Sequence, residues 1–211
     1  MELVPFWAPR GKRHSTRRNP LLVADRSSVV PRSPAAQALA AAAAAIAFAG
    51  AMIIAAQVRI PLPWTPVPIT LQTMVVYLGA AWLGSSRAVI GILIYAGLAA
   101  FGLPVLSGWQ GGFAAFTGPT GGYVMGMILA AFLLGRFLGG RPASLPRTMA
   151  LMSGAAALVF TCGLLHFVLF MRVPFEQALW MALWPFLPGE AIKLTLAAAV
   201  YRGRPNPMAS R

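Results

Sequence analysis

Acidic side chains are nearly missing from this chain: Glu2, Asp25, Glu176 and Glu190 are the only four in 211 residues. Two of them fall in the first 25 residues, which leaves too few carboxylates for a metal cage or a proton relay. Cysteine is limited to Cys162, which excludes a disulfide framework within the chain. Charge of either sign is scarce, since Asp, Glu, Lys and Arg make up 10% of the sequence. An average soluble domain holds about 25%, so this chain has too little charge to coat a soluble globule. A Walker A sequence is also absent. The last glycine of the richest glycine stretch, Gly122, is followed by Tyr123 instead of Lys and Ser or Thr. Any active transport therefore draws on energy supplied elsewhere. No nucleophile elbow or HExxH motif accompanies the few acids, so no catalytic residue, metal site or cofactor is assigned.

What the chain has is 58% hydrophobic residues, 18 prolines, 21 glycines and a net charge of +13, all unevenly placed. Residues 1–34 hold seven basic residues and five prolines with no apolar periodicity. They are expected to form a disordered basic cytosolic tail, a topology signal that also suits anionic lipid. The basic stretch and the apolar segment behind it are both too long for a secretory signal peptide. From residue 35 the sequence becomes a series of apolar segments, at about 35–58, 69–85, 87–103, 120–138, 148–171 and 177–200. Each approaches the roughly 20 residues that a membrane-crossing helix needs. The expected fold is an all-α integral membrane protein with six transmembrane helices, a membrane domain over 35–202 and a cytosolic tail over 203–211. Six crossings put 14 Lys and Arg residues on the side of the termini and only Arg59 and Arg172 on the other, with Lys193 inside a span. The bias makes both termini cytosolic in the plasma membrane. The high basic content thus reports topology in a lipid bilayer and no affinity for nucleic acid.

The unusual sequence lies in the outer loops. The first holds Pro61, Pro63, Pro66 and Pro68 around Trp64, a stiff, extended path. It reads either as a rigid turn with an interfacial Trp anchor or as a pre-shaped lid over a cavity. The second, GLPVLSGWQGGFAAFTGPTGGY at 102–123, is uncharged and carries seven glycines. It reads either as close helix packing through small residues or as backbone lining a cavity at membrane depth. The second span is short and carries Thr70, Gln72 and Thr73, while the sixth is interrupted by Pro185, Pro188 and Gly189.

Glu190 and Lys193 follow that interruption and, three apart, share a helix face. Counted from Arg202, Lys193 lies about 13 Å inside the membrane, where ionised groups face a cavity or each other. The pair is either a self-neutralising structural element or the polar end of an apolar pocket. In the second case a neighbouring acceptor and donor suit a cyclic urea, an amide or a similar neutral polar ring. His166, alone in the fifth span, reads as a satisfied interior histidine. Ala47, Ala51 and Ala55 recur every four residues on the first span, a smooth stripe that another helix can approach closely.

Three blocks, IPLPWTPVPITLQT at 60–73, GLPV with GGFAAFTGPTGGY between 102 and 123, and LPGEAIKL at 187–194, resemble the BioY family of biotin transporters. These are the substrate-binding S components of energy-coupling factor (ECF) transporters. The resemblance spans roughly residues 40–200 and implies six helices with a biotin site facing outward beneath the first loop. It implies site residues Trp64, Gln72, Gln110, Gly112, Phe113, Tyr123, Glu190 and Lys193, with Glu190 and Lys193 on the ureido group. It also implies a T component and two cytosolic ATPase subunits as partners, with Ala47, Ala51 and Ala55 as their docking face, or a homo-oligomer acting without them. The sequence departs from the family in two places. Family members often carry a basic residue at the position of Gln110 and commonly carry Asp at that of Glu190. Arg59, at the mouth, is a candidate to compensate for Gln110 on the ligand carboxylate. The competing readings are an S component for another small vitamin, an intramembrane enzyme acting on lipid, and a non-transport structural membrane subunit.

Overall fold

The computed structural model describes residues 33–141 and 143–203, the side chains of residues 115 and 116 excepted. The basic stretch over 1–32 and the tail over 204–211 lie outside the described residues. Helix α1 spans Pro34–Gln57 and starts one residue before the expected span. Ser33 caps it, its hydroxyl accepting the Ala36 amide at 3.2 Å, and Pro34 occupies the first turn, where no amide donor is needed. Two short strands follow, β1 at Arg59–Ile60 and β2 at Ile69–Thr70, paired antiparallel with Arg59 opposite Thr70. The proline-rich first loop is therefore a hairpin held at its base by a two-residue ribbon.

Helices α2 (Gln72–Leu83) and α3 (Ser85–Ala100) are joined through Gly84 alone. The second loop contains a single turn, α4 (Ala114–Thr117), and ends where α5 (Gly121–Phe137) begins. Helix α6 (Leu145–Met171) is the longest. The expected sixth span is not one helix. It is α7 (Phe175–Ala182), a 3-10 turn at Trp184–Phe186, and α8 (Leu187–Arg202). Pro185 and Pro188 remove amide donors here, so a continuous ladder is impossible and the chain restarts its helix just before Glu190.

The all-α expectation holds, with the ribbon as the one described departure. Helices α1 and α6, at 24 and 27 residues, are long and apolar enough to cross a bilayer. The second span is shorter than expected, because residues 69–71 belong to the ribbon and its exit and α2 has only 12 residues. Packing is closest between α5 and α6, and α2, α3 and α8 complete the bundle. Phe48 on α1 seats its ring in a notch made by Gly79 and Gly91, where an added Cβ would stand 2.1 and 2.6 Å from that ring. The outward faces keep large apolar side chains, such as Ile54 at 69% and Leu169 at 78% exposure. A water-soluble surface rarely carries such a continuous apolar cover, whereas lipid suits it.

Candidate functional site

The helix restart brings Glu190 and Lys193 onto one face of α8, and Lys193 Nζ lies 2.6 Å from Glu190 Oε2. Both are buried, at 3% and 9% exposure. Ionised groups at such depth need full partnership, and α2 supplies it. Thr73 donates to Glu190 Oε2 at 3.0 Å and Tyr77 donates to Oε1 at 2.5 Å. These two residues are four apart, so they share a helix face. Lys193 also donates to Thr73 Oγ1 at 2.7 Å and to the Thr70 carbonyl at 3.1 Å. A carboxylate has about four acceptor positions and an ammonium three donors. Glu190 accepts three bonds and keeps acceptor capacity, while all three Lys193 donors are engaged.

Beside this cluster Gln72 donates to the Tyr95 hydroxyl at 2.9 Å and accepts from Thr70 Oγ1 at 3.2 Å. The Tyr95 hydroxyl, used here as an acceptor, keeps its proton to donate. Tyr123, Phe160 and Phe186 form an aromatic wall, with ring centroids 6.3 to 6.5 Å apart. The Tyr123 hydroxyl donates to the Ala182 carbonyl at 2.5 Å, bracing the last turn of α7 just before the break. Pro66, Val67 and Pro68 from the first loop cover the space, and Arg59, Ser107 and Gln110 stand around its edge. The cavity measures about 130 Å³. One buried water needs roughly 10–15 Å³ on the same kind of measure, so the space suits a small molecule. Its chemistry is a charged hydrogen-bonding end, an aromatic wall and a proline cover.

Gln57, at the end of α1, fixes the second loop to the bundle. Its amide donates to the carbonyls of Leu106 at 3.0 Å and Val105 at 3.4 Å, and its oxygen accepts from the Trp109 amide at 3.3 Å. His166 is a tether of the same kind, its Nε2 lying 2.9 Å from the Gly118 carbonyl.

Of the residues expected at the site, Gln72, Gln110, Tyr123, Glu190 and Lys193 line the cavity. Trp64, Gly112 and Phe113 do not. Trp64 is 57% exposed because the hairpin turns Val67 inward and Trp64 outward. Phe113 is 70% exposed at the entry to α4. The Gly112 amide is occupied by the Ala99 carbonyl at 2.7 Å. The alanine stripe is also not one free face. Ala47 is exposed and Ala51 half-buried, but Ala55 is buried by the chain's own helices and offers no docking surface. Sequence reasoning passed over Tyr77 and Tyr95. Their signal was one polar atom at helical spacing from Thr73 and from the core of α3, too weak to read without the fold.

The pattern of the BioY family matches residues 27–209. A protein described as biotin transporter BioY from Thermotoga maritima is 38% identical over 149 residues, covering 70% of this chain and 85% of that protein. One of the same description from Rhizobium etli is 35% identical over 151 residues, covering 68% and 80%. A crystal structure of the S-component for biotin from an ECF-type ABC transporter superposes with a TM-score of 0.73 at 28% identity, covering 79% of this chain and 91% of that one.

Proposed function

The chain belongs to the BioY family, and we propose that it is the biotin-binding S component of an ECF-type transporter, taking up biotin across the membrane. The observation that carries this reading is the buried Glu190–Lys193 pair at one end of an aromatic-walled cavity under a proline cover. Biotin's fused rings are apolar apart from a ureido group with two N–H donors and one carbonyl. Glu190 retains acceptor capacity for an N–H donor. Lys193 meets the carbonyl by exchanging its bond to the Thr70 carbonyl. Tyr123 and Phe160 pack against the rings, and Gln72 and Gln110 complete the polar lining.

The chain sits in the plasma membrane with six crossings, α7 through α8 forming the sixth, and with both termini in the cytosol. The 14-to-2 division of basic residues favours that orientation. Biotin then enters from outside beneath residues 61–68. The chain itself is no enzyme. Energy comes from two cytosolic ATPase subunits through a transmembrane T component, which meets the outer face of α1 around Ala47 and Ala51. A homo-oligomer is the alternative assembly. The neutral Gln110 at the cavity edge favours one second reading, an S component for another small vitamin. Equilibrium binding of biotin to the purified chain in detergent, with competition by a vitamin panel, tests both. Tight saturable binding that only biotin competes supports the proposal. Absence of biotin binding in folded protein refutes it.

A further inference from the structure

Two cations line the cavity, and only Lys193 has an ion-pair partner. Arg59 makes no ion pair among the described residues. Its backbone is held in the ribbon opposite Thr70, the residue whose carbonyl accepts from Lys193. Its guanidinium lies against the backbone of Gly108, where an added Cβ would come within 2.5 Å of Nη1. Gly108 stands in a tight turn closed by the Leu106 amide donating to the Gln110 carbonyl at 2.9 Å. Both Gly108, at φ 75°, and Trp109, at φ 60°, adopt left-handed backbone in that turn. Glycine adopts that conformation freely, but at Trp109 it persists only when the surroundings hold it, and the Gln57 bonds to Leu106 and Trp109 supply that hold.

The same turn carries Ser107, whose buried Oγ has no hydrogen-bond partner among the described residues. A buried hydroxyl without a partner is uncommon and calls for an explanation. Ser107, Arg59 and Gln110 all face the cavity. Together they present a guanidinium fork, a hydroxyl and an amide with no carboxylate among them. That donor set suits a planar anion, which a guanidinium binds through two parallel bonds.

We propose that Arg59, with Ser107 and Gln110, forms an anion subsite at the cavity edge that receives the ligand's carboxylate. The inference rests on the reading of biotin as ligand, whose valerate chain ends in a carboxylate. The ureido group is held at Glu190 and Lys193, and the carboxylate is held by the Arg59 fork with Ser107 Oγ donating to it. Gly108 suits the turn by its left-handed φ of 75° and leaves room for the guanidinium, which a Cβ would approach to 2.5 Å.

The test compares biotin with biotin methyl ester, which keeps the rings and loses the negative charge. Wild type is expected to prefer biotin. Arg59→Ala and Arg59→Gln are expected to bind biotin about 10- to 100-fold more weakly, the range of one lost charge-assisted contact, and to bind the ester as wild type does. Ser107→Ala is expected to lose a few-fold on biotin alone. Ester binding by the variants reports that they are folded. Undiminished biotin affinity in both Arg59 variants overturns the subsite, as does an equal loss for biotin and ester. Wild type that binds neither compound overturns the biotin reading and the subsite with it.

Discussion

Replacing Glu190 by Met leaves the Lys193 ammonium buried with two neutral acceptors, the Thr70 carbonyl and Thr73 Oγ1. The converse change, Lys193→Met, leaves a carboxylate with two hydroxyl donors, Thr73 and Tyr77. Removing one member of a buried pair costs about 3–5 kcal/mol, because the other charge is stranded. At about 2–4 °C per kcal/mol for a domain of this size, each single variant should melt about 6–20 °C below wild type. Replacing both members together removes the stranded charge. What is left is the loss of partners for Thr73 and Tyr77, about 1–3 kcal/mol for each hydroxyl left orphaned. These two hydroxyls, one helical turn apart on α2, lie close enough to satisfy one another. The double variant should therefore cost at most about 2–6 kcal/mol, against about 6–10 kcal/mol for the sum of the singles. The assay is thermal unfolding of ligand-free protein in detergent micelles, followed by tryptophan fluorescence. Single losses that simply add in the double variant would refute the argument, since the two charges would then be stabilised independently. Biotin binding should be weakened in all three variants, which separates the ligand's need for the pair from the fold's.

Other expectations follow from the same geometry. Trp64→Ala should change biotin affinity by less than about twofold, because the ring stands outside the cavity and exposed substitutions away from special features stay within about 0.5 kcal/mol; isothermal titration in detergent measures it. Gly126→Ala should lower stability by about 1–3 kcal/mol, read as an earlier unfolding transition on titration with SDS. There the new Cβ would stand 2.6 Å from Val159 Cα and 2.9 Å from its carbonyl oxygen, and backbone atoms have no rotamer with which to yield.

The sequence made the helices legible wherever apolar length was the signal. α1, α3, α5 and α6 fall within three residues of the expected boundaries at each end. It was also informative at the Pro185-to-Gly189 interruption, since proline acts on the backbone locally. The Glu190–Lys193 pairing was readable for the same reason, as a spacing of three is a contact within one helix. What escaped were the contacts that depend on how helices meet. Thr73 and Tyr77 reach Glu190 across more than 110 positions of chain, and no local pattern announces that. The direction of Trp64 was equally hidden. Four prolines stiffen the hairpin, but which of its faces turns inward is set by packing, and Val67 took the buried position. The alanine stripe is only partly exposed, for a reason of rotation. A repeat of four drifts by about 40° per step around a helix of 3.6 residues per turn, enough to carry the stripe from exposed Ala47 through half-buried Ala51 to buried Ala55.

The hairpin over the cavity has a thermodynamic meaning beyond its shape. Fixing the backbone of an ordinary residue costs roughly 1–2 kcal/mol of conformational entropy, and a cover that orders only when its guest arrives subtracts that cost from affinity. In residues 61–68 every second residue, on average, is a proline with its φ already set, so most of that freedom is surrendered before any ligand comes. The hinge is the opposite kind of object, a ribbon of two residues per strand with few hydrogen bonds to break. Motion of the cover is therefore cheap at its base and nearly entropy-neutral along its length. Its dwell time on a bound guest is then governed by the contacts that guest makes, and far less by any refolding of the loop.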